Sequence, residues 1–280
     1  MTGWASPRRL VIPLAFFAAA ATALAFLVLP LAALLTHEPP GRLIDLLTNP
    51  VVTGALLVSL ETSAIAQAAI LLLGTPLAYL LARDFRGRAV LVTLIELPIV
   101  LPPAVAGIGL IVAFGRFGLL GGTFSALGID VLLNKAAVVL AVAFVSGPLY
   151  VRTAIAAFRS IDHRLVGASR TLGAGTVRTF LRVVLPLAST GLAAGTALSV
   201  ARGLGEFGAT IMFAGSLQGV TQTLPLAIYQ EFDINLNIAL TISALFVIMT
   251  AAVLLSLKLT LLWHSSRSRS RTSYAISVSS

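Results

Sequence analysis

The chain has 280 residues, 58% hydrophobic and only 10% charged; soluble domains carry about a quarter charged residues, so a soluble globular fold is excluded and an integral membrane protein remains. Cysteine is absent, and His37, His163 and His264 lie in three separate regions, which excludes disulfides and thiolate metal sites and leaves no histidine cluster. The net charge of +9 does not indicate nucleic acid, because the basic residues sit in short connections between apolar runs.

Arg8 and Arg9 precede an apolar run from Leu10 to Leu35. Ala23-Leu24-Ala25 has the form of a signal-peptide cleavage site, but the run continues well past it, as a retained first span would. Thr36 to Asn49 is polar and reads as an exterior connection. Val51 to Ala82 is the second span, longer than the roughly 20 residues a bilayer requires. Its first turns are expected outside the hydrocarbon, sparing Glu61 deep burial. A tight basic turn, Arg83 to Arg88, leads into the third span, Ala89 to Phe114. Pro98, Pro102 and Pro103 interrupt that span. Each proline removes a helix hydrogen bond and crowds the preceding turn, so a break or strong kink is expected. Such a break is tolerable at membrane depth only where protein or a water-filled path re-satisfies the backbone. Glu96, one turn before it, is either a conformational latch or an interfacial carboxylate reaching for the surface.

Arg116 to Lys135 is glycine-rich, with a short helix expected near Phe124, and Ala136 to Phe158 is the fourth span. The fifth runs from Val183 to about Ala214, and the sixth from Ile238 to Trp263 after an exterior loop, Gly215 to Asn237. Of the 19 lysines and arginines, only Arg42, Arg116 and Lys135 fall in predicted exterior segments and only Arg202 falls deep within a span. The other fifteen are on the opposite side, which places both termini in the cytoplasm of a cell membrane. The predicted fold class is therefore all-α, a polytopic membrane protein with about six transmembrane helices. The transmembrane domain covers 1–264, and the serine- and arginine-rich tail, 265–280, is expected to be disordered.

Between the fourth and fifth spans lies a polar stretch of about 159–182 that carries Arg164, Arg170, Arg178 and Arg182. Asp162 is placed to cap a helix, Gly173 stands where a helix end needs a left-handed residue, and Pro186 reads as the opening of the next span. A short polar helix held at the membrane surface is well placed to touch a soluble partner. Catalytic motifs are missing: neither Lys135 nor Lys258 follows glycine as a P-loop lysine does, and neither Gly-x-Ser-x-Gly nor His-Glu-x-x-His occurs. The chain is thus expected not to be an enzyme. In the fifth span, Arg202 and Glu206 are four residues apart and can pair, either lining a pathway or holding helices together.

The stretch Gly167-Ala168-Ser169, with Gly173 and, after a further nine residues, Val183-Val184-Leu185-Pro186, resembles the cytoplasmic loop of binding-protein-dependent ABC importer permeases. In that family the loop begins Glu-Ala-Ala; here Gly167 replaces the glutamate and Val166 precedes it, which weakens any specific salt bridge from the loop to an ATPase. The segments Gly205 to Gly215, Thr221 to Tyr229 and Leu97 to Gly107 are similar to molybdate importer permeases in particular. The resemblance implies the type I ABC importer permease architecture and a function in ATP-driven uptake of a tetrahedral oxyanion, molybdate or tungstate. It implies a homodimer, a cytoplasmic ATPase that binds ATP and Mg, an extracytoplasmic binding protein, and no cofactor in this chain. Val166, Gly167, Ala168, Ser169, Arg170, Thr171, Leu172 and Gly173 would couple to the ATPase. Pro98, Pro102, Pro103, Arg202, Glu206 and Thr210 would line the pathway. A sulfate or thiosulfate permease and an ion-coupled secondary transporter stay open as alternatives.

Overall fold

The structure, a computed structural model, describes residues 8–37, 39, 41, 44–45, 48–128 and 131–277, with side chains described from 15 to 259 of these apart from Ser125. Every regular element among the described residues is a helix. In chain order they are α1 (Arg8–His37), α2 (Pro50–Leu81), α3 (Arg88–Val100), α4 (Pro103–Phe114), α5 (Gly121–Ala126), α6 (Lys135–Arg159) and α7 (His163–Thr171). Then come α8 (Thr176–Leu204), α9 (Gly208–Ala214), α10 (Leu224–Ile234) and α11 (Leu236–Ser277). Among the described residues, five helices are long and apolar enough to cross a membrane, and the bent pair α3 and α4 makes a sixth if it is one span. The helix starts follow from local chemistry. Asn49 Oδ1 accepts from the Val51 amide with Pro50 at the first helical position, and Asn134 Oδ1 accepts from Ala136 and Ala137.

Three contacts set the register of α2 on α6. Glu61 pairs with Lys135, the Thr75 and Tyr150 hydroxyls lie 2.6 Å apart, and Asp84 pairs with Arg159 at 3.0 Å. Partners are 74 or 75 residues apart in all three, so α2 and α6 run parallel, side by side. Two parallel crossings require the chain between them to return across the membrane once. Among the described residues there, the only long apolar stretch is α3 with α4. The broken pair is thus one crossing, as the sequence predicts, although the two halves bend by 117°.

Helix α6 is the centre, more than half buried along its apolar window. Its N-terminal half packs on α4 and α9 through Ala137, Ala141 and Val145 against Ala106, Leu110 and Phe213. Its C-terminal half packs on α2 and α8 through Tyr150, Ala154 and Phe158 against Ala78, Leu81 and Ala188. Lipid tails supply little hydrophobic drive between helices, so close approach of small residues must hold them together. A Cβ on Gly191 would stand 2.4 Å from Ala157 Cβ, and one on Gly195 3.1 Å from Thr153 Cβ. These glycines let α8 approach α6 closely. Helix α1 keeps Phe16, Phe17 and Phe26 exposed, as a helix bathed in lipid does.

Four local expectations change. The fifth crossing begins at Thr176, not Val183, and Pro186 sits inside it. The Leu185 amide bonds the Phe180 carbonyl five residues back, and this wider π turn, Phe180–Val184, adjusts the ladder just ahead of the proline. The same crossing stops at Leu204 and restarts at Gly208, because Gly203, Gly205 and Gly208 make continuous helix costly there. The connection expected as a loop, Gly215 to Asn237, contains α10, whose first turn holds Pro225. Finally, α11 prolongs into the tail as far as Ser277, since arginine is a good helix former and extending a helix costs far less than starting one.

Candidate functional site

The two broken crossings meet. Helix α3 has 13 residues, about 20 Å of the roughly 30 Å hydrocarbon, so the break at Leu101-Pro102 lies at membrane depth. Pro98 remains inside α3, while Pro102 caps α4 and Pro103 is its first residue. Across from it is the second break: a Cβ on Gly208 would stand 2.6 Å from Pro103 Cβ, and one on Gly107 2.6 Å from Met212 Cβ and 2.9 Å from the Ala209 carbonyl. Only hydrogen at these positions permits that approach. The starts of α4 and α9 therefore lie together, with the amides of both first turns beside the break.

Glu206 fills the second break and is 2% exposed. Its Oε1 accepts from the Ala209 amide at 2.7 Å and so ties down the first turn of α9. Its Oε2 lies 2.8 Å from Arg202 Nη1, an ion pair that is close but poorly aligned as a hydrogen bond. A carboxylate this deep needs such a counter-charge. The Arg202 side chain is still 35% exposed, so part of the guanidinium faces open space while part is held by Glu206. Thr210 is fully buried, and its hydroxyl, like that of Ser199, has no hydrogen-bond partner. Chemically, the junction offers a partly free guanidinium and uncommitted hydroxyls around a fixed carboxylate. The sequence brings Pro102, Pro103, Arg202, Glu206 and Thr210 to one place. It did not single out Gly107, Gly208 or Phe207; the glycine density of 203–208 was the available signal.

At the opposite end, Asp162 Oδ1 accepts from the Arg164 amide at 2.8 Å and starts α7. Gly173 ends it at φ 83°, with its own amide on the Arg170 carbonyl and that of Ala174 on the Ser169 carbonyl, a Schellman closure. No residue of α7 is buried. Two contacts seat it: Val166 packs on the cluster around Phe158 and Val184, and Ser169 Oγ lies 3.1 Å from Thr179 Oγ1 on the first turn of α8. Gly167 and Leu172 face outward, Leu172 being 87% exposed. Thr171 turns back onto the Ala168 carbonyl. Cavities flank the helix on both sides. One of about 290 Å³ has Arg83, His163 and Arg170 in its wall; the other, of about 680 Å³, is walled by Leu165, Ala168, Leu172 and Pro186. An exposed helix between two hollows, joined to α8 by a hydroxyl pair, can receive a partner and pass a displacement into a crossing helix. Glu96 pairs with Arg152 at 3.5 Å, which fits a surface carboxylate.

Residues 70–269 match the family model of the binding-protein-dependent transport system inner membrane component. The molybdenum transport system permease protein ModB of Mycobacterium tuberculosis is 46% identical over 234 residues, covering 82% of this chain and 88% of that protein. The Escherichia coli K12 protein of the same description is 44% identical over 177 residues, 62% of this chain and 77% of that one. Among solved structures, a bacterial alginate ABC transporter in complex with a periplasmic protein aligns with TM-score 0.67 at 15% identity, over 95% of this chain and 96% of its own, which shows a shared fold.

Proposed function

The chain belongs to the binding-protein-dependent transport system inner membrane components, multi-pass permeases of ABC importers, and from that premise we propose that it carries molybdate, with tungstate as a chemically equivalent cargo. The observation that carries the choice of anion is the 46% identity to the mycobacterial molybdenum permease over most of both chains. The geometry supports an anion of this kind. An oxyanion crossing a low-dielectric region needs donors and positive potential. Arg202, the Thr210 hydroxyl and the amides of Ala104 and Gly208, at the starts of α4 and α9, are placed to supply them.

A separate cytoplasmic ATPase binds ATP and Mg and docks on α7, with Val166, Gly167, Ala168, Ser169, Arg170, Thr171, Leu172 and Gly173 at the contact. Closure of two ATPase subunits shifts α7, and Ser169 and Val166 carry the shift to Thr179 and Val184 at the start of α8. The π turn there is a place where the helix can re-register. Two copies of the chain rock against one another around the junction, opening it alternately to each side. An extracytoplasmic binding protein delivers the anion, and both termini lie in the cytoplasm. The test is ATP hydrolysis by the reconstituted complex with its binding protein, titrated with molybdate, tungstate, sulfate and phosphate. Stimulation should occur with the first two at far lower concentration than with sulfate. Equal or better stimulation by sulfate removes the molybdate assignment.

A further inference from the structure

At the end of the molecule opposite α7, the turn following α9 folds back on α10 and borders an open hollow of about 500 Å³ with Ser216, Gln222, Gln230, Glu231 and Asp233 in its wall. Gln222 is only 4% exposed. Its amide nitrogen donates to Gln230 Oε1, and Gln230 Nε2 donates in turn to the Ser216 carbonyl at 3.5 Å. That chain of amides leaves Gln222 Oε1 buried with no donor, and the Ser216 hydroxyl is buried without a partner as well. A buried acceptor left without a donor is costly and rare in a finished structure. Above these groups stand Glu231 and Asp233, neither with an ion partner among the described residues.

Gln222 Oε1, the Ser216 hydroxyl and the two carboxylates can all accept, a set that suits a cation rich in N–H donors. No three acidic or histidine ligands converge anywhere among the described residues, which disfavours a metal ion. A lysine or arginine side chain satisfies both requirements: its stem lies along the exposed Tyr229 and Ile234, and its head bonds Gln222 Oε1 under the two carboxylates. We propose that this hollow is the socket for a lysine or arginine of the extracytoplasmic binding protein, an inference that rests on the importer reading above. The Tyr229 ring packs at 5.1 Å on Phe207, which adjoins Glu206 in the break. Docking in the socket and the state of the junction thus share helix α10.

The test uses the complete complex in lipid nanodiscs and follows ATP hydrolysis as its binding protein is added, at low and high salt. The isosteric double variant Glu231→Gln with Asp233→Asn should raise the half-maximal binding-protein concentration by about tenfold and flatten its salt dependence. Gln222→Leu should raise it too; if that variant does not assemble, the surface pair carries the test alone. An unchanged concentration and salt dependence in the double variant overturns the socket. So does a shift in the oligomeric state of the purified chain, which would assign this face to a second copy. Failure of the wild-type complex to respond to its binding protein would instead refute the importer reading from which the socket follows.

Discussion

Replacing Gly107 by alanine and, separately, Gly109 by alanine tests whether the two broken crossings are held together by close backbone approach. Both glycines lie within α4, so both variants gain the same roughly 0.5–1 kcal/mol of helix propensity. They differ in what the methyl group meets. At 109 there is nothing within 4 Å, whereas at 107 the new carbon would stand 2.6 Å from Met212 Cβ, 2.9 Å from the Ala209 carbonyl and 3.1 Å from Ala209 Cα. Carbon atoms rest at about 3.5–4.0 Å, so α4 and α9 must separate by about 1 Å, and two of the three atoms met are backbone. Overpacking of this kind costs about 1–3 kcal/mol. Gly107→Ala should therefore unfold at lower temperature than Gly109→Ala by that amount, followed by helical circular dichroism on the purified protein in detergent. Gly107→Ala should also impair transport, because it pries open the junction at Pro103 and Gly208. Equal stability and equal transport of the two variants would refute the close-approach argument.

Gly173→Val places a β-branched residue at φ 83°, at a strain of about 1–3 kcal/mol. ATP hydrolysis should become independent of the binding protein while uptake falls, and normal coupling in this variant would remove α7 from the mechanism. Removing Glu206, Arg202 or both forms a double-mutant cycle. Glu206→Ala should cost about 1–3 kcal/mol of thermal stability, since it frees both the Ala209 amide and Arg202, and additive losses would mean that the pair does not interact. Because the chain has no cysteine, single cysteines introduced at Arg86 and Gly175 should resist an impermeant thiol reagent in whole cells, while those at Gly122 and Gln218 react. Labelling at Gly175 from outside would invert the topology.

Much of this architecture is legible in one sequence because a bilayer imposes simple rules. Helices must be long and apolar, and basic loops sort to one side; both signals are strong in this chain. The cap at Asp162 and the left-handed Gly173 were legible because each is a single residue with a specific backbone task, and the break at Pro102 because proline breaks helices by covalent structure. The second break was not legible. Gly203, Gly205 and Gly208 lower helix propensity together, but each is compatible with a packed membrane helix, so the sequence does not say that the helix breaks there; the close approach of Gly208 to Pro103 adds the tertiary reason. The π turn was hidden for a related reason: Pro186 marks a local defect, but the wider turn that absorbs it forms upstream. The parallel register of α2 on α6 rests on pairs 74 or 75 residues apart and has no local signature. The socket beside α10 was missed because glutamines in an exterior loop look like ordinary solvated residues until Gln222 is seen to be buried.

The central claim is that this chain forms the membrane passage of an ATP-driven molybdate importer, and uptake itself tests it most directly. Proteoliposomes containing the permease and its ATPase, with ATP inside and the binding protein outside, should accumulate molybdate only when ATP is hydrolysed. Tungstate should compete at similar concentration and sulfate only in large excess. Absence of ATP-dependent molybdate accumulation in vesicles whose ATPase is active and responds to the binding protein, or faster accumulation of sulfate than of molybdate, would contradict the account.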